Sequence, residues 1–165
     1  LFNIAGISSD AKIDNINLED WNKIINNNLT STFLCSKFVI PYLKKNSNKG
    51  IIINTSSIAG RSKSIIAGVH YTASKAAIIG FTRQLAFELS KFAIRVNCVA
   101  PGQTKTKMLE KAIKKNKINL NNLKKNIPIG RIAKPEEVAD VMIFLSTDSS
   151  SYLTGSIIDV NGGVI

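Results

Sequence analysis

Hydrophobic residues change rhythm several times along this chain, and each change marks an element. Leu1–Ile4 reads as the end of a buried strand running into a turn at Gly6, and Ser8–Asn17 is polar loop. Asn17-Leu18-Glu19-Asp20 has the form of a helix N-cap followed by acids, so a helix is expected from near Leu18. Beyond it Trp21, Ile24, Ile25, Leu29, Phe33, Phe38, Val39 and Leu43 recur at about 3.6-residue spacing, with a break around Asn26-Asn27-Asn28, until the polar run Lys44–Gly50 stops the pattern. This is one long helix or two end to end. Ile51–Thr55 is a short β-branched run, as in a strand covered on both faces. Ser56–Val69 reads as loop and His70–Phe92 as helix. The apolar residues of that helix fall on more than one face, so a partner subunit is expected to cover the side turned away from its own sheet. Ile94–Ala100 is the next strand, ended by Pro101-Gly102, and Lys105–Lys125 is helical. Pro135 stands at a helix N1 position ahead of Glu136–Thr147, and Ser156–Val160 is a last strand closed by Asn161-Gly162-Gly163.

The order β-α-β-α-β-α-α-β, with no hairpin signal, predicts an α/β fold with a parallel sheet and helices on both faces. No repeat or linker interrupts it, so residues 1–165 are read as a single domain. Composition agrees: 44% hydrophobic residues and a mean hydropathy of +0.08 describe a globular chain with a substantial core. No apolar run reaches the roughly 18 residues that cross a bilayer, and Leu1–Gly6 lacks the form of a signal peptide. No membrane partner is expected. Two cysteines, Cys35 in a helical pattern and Cys98 in a strand pattern, provide neither a disulfide framework nor a zinc knuckle, and a cytoplasmic setting is the simplest.

The net charge of +11 raises nucleic-acid binding as a class. Eighteen of the 22 basic residues are lysine, asparagine and isoleucine are also abundant, and no aromatic residues interleave with the lysines. That pattern fits a biased codon pool, and no nucleic-acid partner is expected. A single histidine, His70, and no clustered carboxylates leave no metal-ligand set.

Tyr71 and Lys75 lie four apart at the start of a helix, which stacks their side chains on one face. A phenol is a poor proton donor at neutral pH, but an adjacent ammonium is expected to favour the phenolate and pull its pKa down. Ser57 follows the Ile51–Thr55 strand at what would be the carboxyl edge of a parallel sheet, where open α/β folds place ligands. Asn28 sits mid-helix among two other asparagines. Each of these residues alone is also an ordinary surface or loop residue.

Taken in order, Asn3-Ile4-Ala5-Gly6, Asn28-Leu29, Thr55-Ser56-Ser57-Ile58-Ala59-Gly60, Tyr71-Thr72-Ala73-Ser74-Lys75, Arg95–Gly102 and Asn161-Gly162-Gly163 closely resemble the short-chain dehydrogenase/reductase family over essentially the whole chain. Within the family the look is nearest to 3-oxoacyl-[acyl-carrier-protein] reductases and related sugar and alcohol dehydrogenases. The resemblance implies an NAD(P)-dependent oxidoreductase acting on a ketone or secondary alcohol, with a homotetrameric assembly. It implies Tyr71 as proton donor to the substrate oxygen, Lys75 on the nicotinamide ribose, Ser57 on the substrate carbonyl, and Asn28 fixing a water in a proton relay. It places the turn Asn3, Ala5, Gly6 beside the adenosine side of NADP or NAD. Pro101 and Gly102 would line the nicotinamide, with the Thr104 backbone and the Thr106 hydroxyl near its carboxamide. Gly6 and Gly102 can also be read as turn glycines.

Two departures are small: Ile4 stands where the family shows a second asparagine, and the Ser57 to Tyr71 interval is one residue longer. The large one is the absence of a glycine-rich phosphate turn. The fold is therefore read as the C-terminal part of a doubly wound parallel-sheet Rossmann-type domain, with the N-terminal βα units missing. A catalytically silent nucleotide-binding or sensor member of the same fold is the alternative, and the intact Asn28, Ser57, Tyr71 and Lys75 set argues against it. Lys105, Lys107, Lys111, Lys114, Lys115, Lys117, Lys124 and Lys125 surround a single acid, Glu110. By resemblance this segment closes over the substrate, so its charge either steers an acyl carrier protein or CoA-type thioester or belongs to a solvated lid.

Overall fold

The computed structural model describes residues 1–45 and 50–165. Residues 46–49, the centre of the polar run expected to stop the first helical stretch, lie outside the described residues. Four strands, β1 (Phe2–Asn3), β2 (Ile51–Thr55), β3 (Arg95–Pro101) and β4 (Ile157–Val160), pair in that order and all in parallel. Phe2 lies opposite Ile53, Ile53 opposite Asn97, and Cys98 opposite Ile157. Every strand therefore ends at the same edge. Ile4–Gly6, Thr55–Ser57, Pro101–Thr104 and Asn161 gather there.

Helices cover both faces, as the unbroken β-branched run of β2 requires. On one side Ile52, Ile94 and Val96 pack with Leu85, Ala86 and Leu89 of α4 (Val69–Leu89) and with Val39, Ile40 and Leu43 of α2 (Ser31–Lys45). On the other, Ile53 and Val99 pack against Val138, Met142 and Leu145 of α7 (Pro135–Leu145). Alternate residues of β2 thus feed two separate cores. The start of α7 follows its sequence signals: Pro135 occupies the first helical position, and Glu137 Oε2 accepts from Lys134 N at 2.7 Å.

The first helical stretch resolves the choice between one helix and two in a third way. Helix α1 (Leu18–Ile25), capped by Asn17 Oδ1 accepting from Asp20 N at 2.8 Å, runs without interruption through a π turn at Asn26–Thr30 into α2. The segment expected as loop after β2 contains a short helix, α3 (Ile58–Arg61), capped by Ser57. Lys105–Lys125 is two helices, α5 (Lys107–Lys115) and α6 (Leu120–Lys125), parted where Lys117 takes a positive φ of 49° and Asn119 caps the second. Among the described residues no helix is long and apolar enough to cross a membrane.

Candidate active site

The site is assembled by polar groups buried beneath the sheet edge. Asn28, fully buried within the π turn, closes on the backbone of Ile7: its Oδ1 accepts from Ile7 N at 2.8 Å and its Nδ2 donates to Ile7 O at 3.0 Å. The same Nδ2 donates to Ser74 Oγ at 3.0 Å, and Ser74 Oγ donates to Tyr71 O at 2.7 Å. A π turn supplies the extra residue that lets one of three consecutive asparagines turn inward. The loop after β1 and the first turns of α4 are thereby fixed to one amide.

Helix α4 is held against β2 from the other side. Ser56 Oγ donates to Lys75 O at 2.7 Å, and Lys75 Nζ donates to Thr55 O at 2.9 Å. Gly60 of α3 lies so close that a Cβ there would fall 2.6 Å from the carbonyl carbon and oxygen of Lys75. Glycine is required at this crossing. Tyr71, Lys75 and Ser57 consequently face one cavity of about 420 Å³, walled by Ile4, Gly6, Pro101, Gly102, Thr104 and Thr106 and roofed by apolar residues of α5 and α7.

The electrostatics of Tyr71 differ from the expectation. Burial pushes its phenol above the ordinary value, while a hydrogen bond between the Tyr71 and Ser57 hydroxyls works in the opposite direction. The Lys75 ammonium, 5.8 Å from the centre of the Tyr71 ring, does not reverse this. Lys75 responds to the same desolvation: burial brings its pKa down to about 8. Two groups in one dry pocket are thus each pushed toward neutrality, the phenol upward and the ammonium downward, so their pKa values are drawn apart.

Of the residues expected on the cofactor side, Gly6, Pro101, Gly102, Thr104 and Thr106 line the cavity with Tyr71 and Lys75. Asn3 and Ala5 do not. Asn3 instead donates from Nδ2 to Asn54 Oδ1 at 2.8 Å and to Ser36 Oγ at 3.1 Å, and Asn54 donates to Thr82 Oγ1 at 2.9 Å. Its amide ties β1 to β2, α2 and α4 inside the protein. Gly102 answers to packing, because a Cβ there would come 2.8 Å from Asn161 Cα. Thr106 also caps α5, its hydroxyl accepting from Leu109 N at 3.3 Å. Thr55 and Gln103 also line the cavity, though neither was expected as a site residue. Thr55 Oγ1 and Gln103 Oε1 are buried polar atoms without a protein partner.

These features fit the nicotinamide half of a dinucleotide. A Cβ on Gly6 would intrude 3.0 Å from Asn28 Oδ1 and 3.5 Å from Lys75 Nζ, so glycine keeps an open approach to the ammonium, and Thr55 and Gln103 line the same cavity with buried oxygens that have no protein partner. A family model described as enoyl-(acyl carrier protein) reductase matches residues 1–165. The 3-oxoacyl-[acyl-carrier-protein] reductase of Thermotoga maritima is 44% identical over the whole chain. The chain belongs to the short-chain dehydrogenase/reductase family. Human (3R)-3-hydroxyacyl-CoA dehydrogenase, another relative, is 39% identical over 97% of the chain. Among solved structures, a 3-oxoacyl-[acyl-carrier protein] reductase from Brucella melitensis with bound NAD matches 99% of the chain at a TM-score of 0.88 and 38% identity. ElxO with NADP bound matches 99% at a TM-score of 0.90 and 32% identity. The chain spans 65% of the Thermotoga enzyme, 60% of the human one and 60% of the Brucella chain. It therefore corresponds to somewhat less than two thirds of these short-chain dehydrogenase/reductase relatives.

Proposed function

We propose that the protein containing this chain is an NAD(P)-dependent oxidoreductase that interconverts a ketone and a secondary alcohol, with a 3-oxoacyl thioester as the preferred ketone. The observation that carries the reading is the convergence of Tyr71, Ser57 and Lys75 on one largely apolar cavity at the carboxyl edge of the sheet. A nicotinamide dinucleotide held by Lys75, Gly6, Pro101, Gly102, Thr104 and Thr106 would supply or accept the hydride.

The chain's own residues do the rest. As negative charge develops on the substrate oxygen, Ser57 donates a hydrogen bond to it and Tyr71 gives up its hydroxyl proton. The raised Tyr71 pKa keeps that proton in place until the oxygen becomes basic enough to take it. The Lys75 ammonium lies 5.8 Å from the centre of the Tyr71 ring and would hold the ribose of a bound cofactor. Asn28 acts as a positioning residue through Ile7 and Ser74, and the space kept free by Gly6 lies between its amide oxygen and Lys75, where a proton relay from Tyr71 through Lys75 would run. The names of the relatives, which include carrier-protein reductases and a hydroxyacyl-CoA dehydrogenase, support a thioester over a sugar.

A homotetramer is part of the same reading. Helices α2 and α4 expose Phe38 at 67%, Tyr42 at 67% and Phe87 at 78%, an apolar face that a second copy of the chain would cover. The test is reduction of a 3-oxoacyl thioester by the full-length protein with NADH and with NADPH, followed by loss of reduced nicotinamide absorbance. Turnover with one cofactor and a tetramer mass in light scattering are expected. Absence of turnover with both cofactors overturns the enzymatic reading, and a monomer at micromolar concentration overturns the assembly.

A further inference from the structure

A second chamber of about 430 Å³ opens beside the catalytic cavity and shares Gly6, Ser8, Ile66, Ala67, Met108 and Ala112 with it. The two adjoin across these shared residues and differ in character. The inner half is walled by apolar side chains of α5 and α7, among them Leu109, Val138 and Met142. The outer half is lined by Ser8, Ser9 and Asp10 on one side and by Lys107, Lys111 and Lys115 on the other.

Helix α5 makes the division. Residues four apart share a face, so Met108 and Ala112 form a stripe along the shared boundary and Lys107, Lys111 and Lys115 a neighbouring row that borders only the outer chamber. Lys115 is spent on Asp10, with Nζ to Oδ1 at 2.5 Å, and this pair fastens the C-terminal end of α5 to the loop after β1. Lys107 and Lys111 form no ion pair among the described residues, and Asp10 is the one carboxylate lining the chamber. A surface lysine usually faces bulk water, where its charge is screened. These two rim a concave space with low-dielectric walls, and that geometry focuses their field on whatever enters.

We propose that the outer chamber is the binding site for the phosphate end of a phosphopantetheine thioester, held by Lys107 and Lys111 while the acyl end lies in the apolar inner cavity. This rests on the thioester reading above and adds a site for the part of the substrate remote from the chemistry. The same phosphopantetheine arm is carried by CoA and by acyl carrier protein. Binding energy drawn from a remote charged group lowers KM and leaves the hydride step untouched when the group contributes equally to ground and transition states.

The experiment compares the full-length protein with its Lys107→Gln/Lys111→Gln double variant on three substrates at low ionic strength: a 3-oxoacyl-CoA, a 3-oxoacyl carrier protein and the neutral 3-oxoacyl N-acetylcysteamine thioester. KM for the two phosphate-bearing substrates should rise by about tenfold or more, kcat should hold, and kcat/KM for the neutral thioester should change less than twofold. A rise with both phosphate-bearing substrates assigns the shared phosphate of the arm, and a rise with CoA alone assigns its nucleotide phosphates. Equal losses on all three substrates, or no loss on any, overturn the site. Calorimetric titration of unacylated CoA into both proteins separates the two readings. If no thioester is turned over, the oxidoreductase reading fails, and the chamber stands or falls on whether CoA affinity depends on the two lysines.

Discussion

The floor of the catalytic cavity and its lid are held by different means. Beneath the sheet edge, Asn3, Asn28, Asn54, Ser56, Ser74 and Thr82 are buried, and each has a hydrogen-bond partner in a neighbouring element. Across the cavity, α5 and α6 contain one fully buried side chain, Leu123, and their long-range anchor is the exposed pair Lys115–Asp10. A buried polar network tolerates no unpaired member, whereas a solvated lysine tolerates nearly any neighbour. On the proposed function the first region would fix geometry for chemistry, and the second would set attraction and access. Perturbing the floor should change kcat and stability, and perturbing the lid should change KM and its salt dependence.

The largest effect is expected at the floor. Tyr71→Phe removes the proposed proton donor and leaves the ring packing in place, so kcat should fall by about 10²–10⁴-fold with cofactor affinity nearly unchanged. Wild-type turnover in this variant would remove Tyr71 from the chemistry and erase the contrast with the lid. Gly60→Ala forces a methyl group against the Lys75 carbonyl and should lower stability by roughly 1–3 kcal/mol, read from denaturant midpoints. Asn28→Ala strands the Ile7 amide and carbonyl in a part-buried setting. A loss of about 1–3 kcal/mol is expected, together with lower kcat as Ser74 and Tyr71 lose their tether.

The pH response sharpens the same comparison. Lys75 carries its charge below about pH 8 and loses it as pH rises through that value, so cofactor affinity should weaken over that interval. Folding runs the other way. Because burial lowers the native pKa, the unfolded chain holds the proton longer, and this group adds stability as pH climbs from about 8 toward the ordinary lysine range. The difference in stability slope between the wild type and Lys75→Met measures that contribution. A flat difference would place Lys75 in a wetter setting than its burial indicates.

The smallest effect belongs to the lid. Lys114→Glu reverses an exposed charge on α5 that lines neither chamber, and should lower kcat/KM for a carrier-protein thioester a few-fold at low salt, with the loss fading as salt is added. Lys115 is a poorer choice for this test, since its reversal would set two carboxylates face to face at Asp10. An effect of Lys114→Glu on kcat at any salt would contradict the division of labour.

Parts of this arrangement were legible in the sequence for identifiable reasons. The run Ile51–Thr55 could only be a strand covered twice, and both cores are found on it. The spacing of Tyr71 and Lys75 placed them on one helical face, and both line the cavity. Asn28 could not be told from Asn26 and Asn27 by propensity, because which one turns inward is decided by the π turn. Asn3 belonged to a recognisable motif, yet its amide faces Ser36 and Asn54, contacts between residues far apart in sequence. Helix α3 is four residues long, too short for periodicity to register, and its approach to Lys75 rests on the missing side chain of Gly60. The upward shift of the Tyr71 phenol is invisible to spacing, which reports a neighbour's charge and is blind to desolvation.

The π turn at Asn26–Thr30 also works as a phase shifter for the helix that contains it. Ile24, Asn28, Thr32 and Ser36 are all buried and stand four residues apart. In a regular α-helix, with about 100° per residue, Ile24 and Ser36 would point roughly 120° apart. A π turn absorbs about one residue, which brings the two back to within roughly 20° of each other. One continuous helix can therefore keep its apolar start and its polar middle on the same side. A one-residue deletion in Asn26–Thr30 would remove the π turn yet leave Ile24 and Ser36 in phase, whereas regularising the turn with every residue kept would rotate Ser36 about a third of a turn away from Asn3, and the fault would surface at β1, far along the chain.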